Sequence, residues 1–159
     1  MTRFGPPLVV FDCMIFLQAT ANPTGPAARL FVEFVDPRRL VLCVSDRILE
    51  EVRDVLRRPR IRAKNPAMSD ESVARFLDRI ARVARRIAEV PAAYPLPRDP
   101  DDEPYLNLAI AVSADFLVTR DNDLLDLMKD ADFHSRCPTL RILDPVSLLR
   151  ILVDPESTT

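Results

Sequence analysis

The chain has 159 residues, 48% of them hydrophobic, and a formal net charge of −2. This length and composition allow one sizeable core and leave little room for a second, so we expect one domain over residues 1–153 and a short flexible tail over residues 154–159. The 3 cysteines are far apart and there is 1 histidine, which argues against a disulfide framework and against a zinc site.

The first half of the chain predicts strands and helices in alternation. Short β-branched and aromatic runs at residues 8–11 and 40–44 are typical of buried parallel strands. Gly25-Pro26 is expected to open a helix between them. Ser45 is expected to cap the helix that follows the second strand.

The N-terminal run carries no convincing export or membrane signal. Arg3 followed by an apolar run loosely resembles an export signal, but Asp12 interrupts that run, whereas the core of a signal peptide is apolar throughout. The apolar stretches all fall short of the roughly 20 residues that a membrane span needs. We therefore expect a cytoplasmic protein that does not enter a membrane.

The second half continues the alternation. Pro59 and Pro66 bracket a predicted loop, and Ser69 is expected to cap a long helix that runs to about Glu89. Further segments are predicted as a helix over residues 105–112, with Asp102 at its start, and as strands over residues 116–118 and 140–143. The alternation predicts an α/β fold with a mostly parallel sheet of four to five strands. Right-handed crossovers would cover both faces, giving a three-layer α/β/α sandwich.

Charge is divided along the chain. Residues 53–86 contain 11 basic residues against 4 acidic ones, and residues 99–132 contain 10 acidic residues against 2 basic ones. The basic part holds a loop cluster and a helical ridge that are candidates for contact with phosphates: Arg57, Arg58, Arg60, Arg62 and Lys64 in the loop, and Arg75, Arg79, Arg82 and Arg86 on the ridge. The plainer alternative is that both parts are ordinary solvated helix faces held by i,i+4 ion pairs.

Carboxylates follow several of the apolar runs. Asp12, Glu51, Asp102, Asp121 and Asp123 stand at predicted strand ends or in the helices that follow them. The carboxyl ends of parallel strands meet at one crevice, and grouped carboxylates are hard oxygen ligands that suit Mg²⁺ or Mn²⁺. Taken singly, each acid has a plainer interpretation as a helix cap, a turn former or a solvated residue. Their shared context favours a metal site, with Ser45 and Thr119 nearby in sequence as supporting residues.

Four motifs resemble the PIN domain family, a group of metal-dependent ribonucleases that includes the VapC-like toxins of toxin–antitoxin pairs. The motifs are VVFD, SDRILEEV, RDPDDEPYLNLAIA and LVTRDNDLL, and they occur in the family's order. The resemblance implies a single PIN-like domain whose catalytic acids are Asp12, Glu51, Asp102 and Asp121, with Asp123 as an accessory acid. By the same resemblance Asp12, Asp102 and Asp121 would bind the metal, the substrate would be RNA, and the partners would be an antitoxin and a second copy of the chain.

One departure from the family pattern concerns the residues after the first acid. The family usually places a small residue and then Asn or Ser there, whereas this chain has Cys13 and Met14. A thioether is a soft ligand that a hard cation does not prefer. The alternative is therefore a PIN-like protein with a weakened or inactive site that binds RNA or a protein partner.

Overall fold

The computed structural model describes residues 5–154, which form one parallel sheet with helices between the strands. Residues 1–4 of the predicted domain and residues 155–159 of the predicted tail lie outside this part. The strands are β1 (Leu8–Phe11), β2 (Val41–Ser45), β3 (Arg85–Ile87), β4 (Phe116–Val118) and β5 (Arg141–Leu143), in the order β3-β2-β1-β4-β5. All four strand pairings are parallel. The predicted α/β class and parallel sheet are confirmed.

The helices occupy the connections between strands, except for the last helix, which follows β5. They are α1 (Cys13–Ala21), α2 (Pro26–Leu30), α3 (Asp46–Arg57), α4 (Pro59–Lys64), α5 (Asp70–Val83), α6 (Glu103–Ala111), α7 (Asn122–Leu125), α8 (Ala131–Arg136) and α9 (Pro145–Val153). A π-helical turn at Phe31–Val35 extends α2, and 3-10 turns occupy Pro100–Asp102 and Asp126–Lys129. Across residues 5–154 every helix is too short or too polar to cross a membrane.

The order of the strands sets the layers and the position of the crevice. The chain steps from β1 through β2 to β3 toward one edge, and then returns through β4 to β5 toward the other. Crossovers of one hand therefore place α1 to α5 on one face and α6 to α8 on the opposite face. The reversal lies between β1 and β4, and this is the switch point at which a crevice opens beyond the carboxyl ends of the strands.

The register brings β1 and β4 to an end at the same level. Phe11 is paired with Val118, and the backbone N–H of Asp12 donates to the carbonyl of Val118 at 3.1 Å. Asp12 and Thr119 therefore leave adjacent strands side by side. This geometry delivers the first and fourth predicted acidic motifs to the same edge of the sheet.

The predicted long helix is wrong at its C-terminal end. Helix α5 ends at Val83, and Arg85–Ile87 instead pair with the outer edge of β2, with Val44 opposite Arg86. Helix propensity is a weak preference that tertiary pairing overrides, and basic side chains on an edge strand discourage further pairing. Arg86 therefore lies on a strand rather than on the helical ridge.

The predicted loop after Pro59 is also wrong, because Pro59–Lys64 form α4. Proline is well accommodated in the first turn of a helix, where its missing N–H would have no helical partner. Two predicted caps are confirmed: the hydroxyl of Ser45 accepts from Ile48 N–H at 3.1 Å, and that of Ser69 accepts from Ser72 N–H at 3.0 Å.

Candidate metal centre

A cleft of about 230 Å³ opens at the switch point of the sheet. It is lined by Asp12, Cys13, Met14, Gln18, Asp102, Arg120 and Asp121. The three acids predicted as metal ligands thus come from three distant parts of the chain and share one cleft. A crevice at this position is where open α/β sheets usually bind ligands.

The Thr119 hydroxyl joins two of these acids. Asp12 is 4% exposed, and its Oδ1 accepts from Ile15 N–H at 3.1 Å, so it caps α1 as well as facing the cleft. Thr119 is 0% exposed; its hydroxyl donates to Asp12 Oδ2 and accepts from the N–H of Asp121 at 3.0 Å. Burial raises the pKa of Asp12 to about 6, although the bond from Thr119 opposes the rise.

Asp102 is more than a helix cap. It precedes α6, but its side chain makes no capping hydrogen bond, and its Oδ2 is buried with no hydrogen-bond partner among the described residues. Burial raises the pKa of Asp102 to about 8, helped by contact with Asp99 and by the negative charges of Asp121 and Asp12. A bound cation would give this buried oxygen a partner and would offset the repulsion from the neighbouring carboxylates.

Asp99 is a candidate ligand that the sequence analysis missed. Carboxylate oxygens of Asp99, Asp121 and Asp123 lie within 4.8 Å of one another, on half-buried side chains. Asp99 precedes the 3-10 turn at Pro100–Asp102, and the N–H of Asp102 donates to the Asp99 carbonyl at 3.1 Å. The side chains of Asp99 and Asp102 are in contact, but the spacing within RDPDD carries no signal that separates Asp99 from the neighbouring acids. This cluster is able to hold a divalent cation.

Glu51 and Ser45 stand apart from the cleft lining. Glu51 lies on α3, and its Oε1 accepts from the hydroxyl of Tyr105 at 2.9 Å, so it is tied inward rather than solvated. Ser45 caps the same helix and lines a separate hollow with Asn107 and Pro104. Of the predicted site residues, Asp12, Asp102 and Asp121 meet in the cleft, Asp123 joins them through Asp121, and Glu51 is outside the lining but near enough to Cys13 to raise the pKa of its thiol.

Cys13 and Met14 give the cleft an unusual rim. Burial raises the pKa of the Cys13 thiol to about 12, and the charge of Glu51 adds to the rise, so the group stays neutral. Met14 is 50% exposed and lines the cleft beside Cys13. Neither side chain supplies a hard oxygen ligand, which leaves the carboxylates to provide the charge of the site.

Five of the predicted phosphate-contacting residues have carboxylate partners within the chain. The ion pairs are Arg58 with Asp54, Arg62 with Asp70, Arg75 with Glu71, Arg79 with Asp36, and Arg86 with Asp46. The guanidinium of Arg79 also stacks 5.0 Å from the ring centre of Phe31. The ion pairs match the solvated-face alternative for part of the basic surface. Arg57, Arg60, Lys64 and Arg82 are exposed.

The fold and the cleft define an α/β protein whose switch point carries a cluster of buried and half-buried carboxylates suited to a divalent cation. A family model described as a PIN domain matches residues 8–123, so the chain belongs to the PIN domain family. This match includes β1 to β4 and all five acids predicted from the sequence. PIN domains are generally nucleases that use divalent metals. A search of the curated proteins found no match to this chain.

Proposed function

We propose that this chain is a Mg²⁺- or Mn²⁺-dependent endoribonuclease that hydrolyses phosphodiester bonds in the cleft at its switch point. The observation that carries the proposal is the convergence of Asp12, Asp102 and Asp121 in one cleft, with an Asp102 oxygen buried and unpaired among the described residues. Family membership supports a nuclease, and RNA is the substrate that the resemblance implies.

The donor set fits the proposed cation. Asp12, Asp102 and Asp121 offer only carboxylate oxygens, which Mg²⁺ and Mn²⁺ prefer over sulfur. Asp99 and Asp123 extend this set through Asp121. When bound, the cation supplies Lewis acidity that lowers the pKa of a water molecule and stabilises negative charge on a phosphate.

The chain's own residues hold this arrangement and the substrate. Thr119 fixes Asp12 and Asp121 relative to each other through its hydroxyl. Glu51 would act through bound water rather than as a direct ligand, since it is not among the residues that line the cleft. Arg120 lines the cleft and is exposed, so its guanidinium is placed to hold a phosphate oxygen.

RNA outside the cleft would be held by the basic surface. The exposed side chains of Arg57, Arg60, Lys64 and Arg82 are the better candidates for phosphate contact, because the other predicted basic residues are ion-paired. Such contacts give affinity that falls with salt. We propose single-stranded or looped RNA as the substrate, because its bases can be splayed apart.

A cleavage assay tests this function. Single-stranded RNA with a fluorescent end label is incubated with the protein in Mg²⁺, in Mn²⁺ and in EDTA, and a DNA strand of the same sequence serves as a second substrate. We expect metal-dependent RNA cleavage that Asp102→Asn abolishes. Asp101→Asn is the matched control, since Asp101 is the exposed neighbour and lies outside the cleft lining. Cleavage that survives Asp102→Asn would show that the site is wrongly assigned.

We propose further that the nuclease is the VapC-like toxin of a toxin–antitoxin pair and acts as a homodimer. The support is the motif RDPDDEPYLNLA, which resembles that subgroup. Expression of the protein without its neighbouring gene should arrest growth, and Asp102→Asn should restore it. Growth that continues at full rate while the protein cleaves RNA in vitro would remove the toxin role and leave the nuclease.

The lining by Cys13 and Met14 favours one alternative, a PIN-like protein that binds RNA or a protein partner without cutting it. RNA binding in gel-shift experiments, together with an absence of cleavage in either metal, would establish that alternative. Replacing Cys13 and Met14 with the residue types usual in the family, in Cys13→Thr/Met14→Asn, would then be expected to raise cleavage.

A further inference from the structure

Tyr105 carries a buried hydroxyl at a position where an apolar ring would fill the same space. It lies on α6, is 1% exposed, and donates its hydroxyl hydrogen to Glu51 Oε1 at 2.9 Å. A buried tyrosine hydroxyl needs a partner, and a bond to a carboxylate is among the stronger ones. The hydroxyl therefore adds to the core a hydrogen bond that packing alone does not require.

This hydroxyl links the three segments that carry the first three acids. Tyr105 follows Asp102 by one turn of helix, and its partner Glu51 lies on α3. The Cys13 thiol, directly after Asp12, is near enough to the Tyr105 hydroxyl for each group to affect the pKa of the other. The Tyr105 hydroxyl thus belongs to the segment of Asp102, bonds Glu51, and lies near the segment of Asp12.

Glu51 has a competing neighbour toward solvent. The exposed guanidinium of Arg58 is close enough to interact electrostatically with both Glu51 and Cys13, while it hydrogen-bonds Asp54 at 2.7 Å. Without the Tyr105 hydroxyl, Glu51 would be free to turn toward this exposed cation. The inward position of Glu51 therefore depends on a partner within the core.

We propose that Tyr105 is a positioning residue: its hydroxyl fixes the Glu51 carboxylate near Cys13, a residue of the cleft lining, so that Glu51 can orient a water bound in the cleft. This inference rests on the proposed nuclease function and adds a residue to it. Groups that orient the carboxylates of a metal site typically change activity by about 10- to 100-fold when they are removed.

The test is a double-mutant cycle that combines Tyr105→Phe with Glu51→Ala: phenylalanine keeps the ring and removes only the oxygen, and alanine removes the acceptor, which glutamine would keep. We expect Tyr105→Phe to lower kcat for RNA about tenfold with KM unchanged, and to have no further effect in the Glu51→Ala background. Ser69→Ala is the control: it removes a hydroxyl that caps α5 outside the cleft lining, and it should leave kcat unchanged. Independent, multiplicative losses in the cycle would overturn the positioning role.

An unfolding cycle on the same four proteins keeps the two proposals distinguishable. In urea titrations the two substitutions should couple, because either one alone already removes the bond. The unfolding equilibrium constant of the double variant should therefore be about tenfold lower than the value obtained by multiplying the two single effects. Absence of coupling would overturn the hydrogen bond, whatever the activity. A wild-type protein that cleaves no RNA in either metal would overturn the nuclease function and the catalytic role of Tyr105, while the unfolding cycle would still decide whether the bond exists.

Discussion

We expect Thr119→Val to weaken the fold and the cation site together. Valine has nearly the shape of threonine, so the substitution removes a hydroxyl that is 0% exposed without opening a large cavity. Two bonds are lost: the one donated to Asp12 Oδ2 and the one accepted from the N–H of Asp121 at 3.0 Å. Both groups are left without their partner in a region with little access to water.

The expected cost follows from the character of these two bonds. A hydrogen bond to a charged group contributes about 1.5–3 kcal/mol and a neutral one about 0.5–1.5 kcal/mol, so we expect a loss of about 2–4.5 kcal/mol. The range for a bond to a charged group applies to the bond between Thr119 and Asp12 above pH 6, because the pKa of Asp12 is about 6. At pH 5 the carboxyl is largely protonated, and the cost should be smaller.

Urea unfolding at pH 8 and pH 5, with Mn²⁺ titration by calorimetry at pH 8, measures both effects. Thr119→Ser is the control, because it keeps the hydroxyl and loses one buried methyl group, at a cost of about 1 kcal/mol. Thr119→Ser should bind Mn²⁺ as the wild type does, whereas Thr119→Val should bind more weakly. Equal stability and equal Mn²⁺ affinity of the two variants would refute the role of the hydroxyl.

Three further outcomes are expected. Without metal at pH 8, Asp102→Asn should raise the melting temperature, because it removes a carboxylate that burial and its neighbours disfavour; a lower melting temperature would contradict this. In EDTA the wild-type melting temperature should fall as pH rises from about 4 to about 8. In the unfolded chain both carboxyls have the ordinary pKa of 3.8, whereas in the folded protein the pKa is about 6 for Asp12 and about 8 for Asp102, so the folded state binds more protons over this range. A flat profile would refute the shifts. Ser45→Ala should cost about 1 kcal/mol in urea unfolding and leave Mn²⁺ affinity unchanged, since Ser45 caps α3 outside the cleft; weakened binding would place it in the site.

The strands nearest the site could be predicted from the sequence to the residue. Residues 8–11 and 116–118 are short apolar runs that end at polar residues, and both are observed as predicted. Their alternation with helices implies parallel pairing, which brings Asp12 and Asp121 to one edge of the sheet. The local sequence pattern and the pairing of the strands agree here, so the acidic character of the cleft could be predicted from the sequence alone.

Two features could not be predicted, for different physical reasons. Arg85–Ile87 continue the apparent helical pattern of α5, and only the free edge of β2, far away in sequence, turns them into a strand. Asp99 stands among four acids within five residues, and spacing alone does not say which of them face the cleft. The 3-10 turn at Pro100–Asp102 decides that, because it sets Asp99 beside Asp102.

The metal centre itself is tested by calorimetric titration of metal-free protein with Mn²⁺ at pH 8, on the wild type, Asp12→Asn and Asp101→Asn in parallel. Asp12 lies in the cleft, and Asp101 is an exposed acid outside its lining. We expect saturable binding by the wild type and Asp101→Asn, and its loss in Asp12→Asn. Equal binding by all three proteins, or no binding by the wild type, would contradict a metal centre at this cleft.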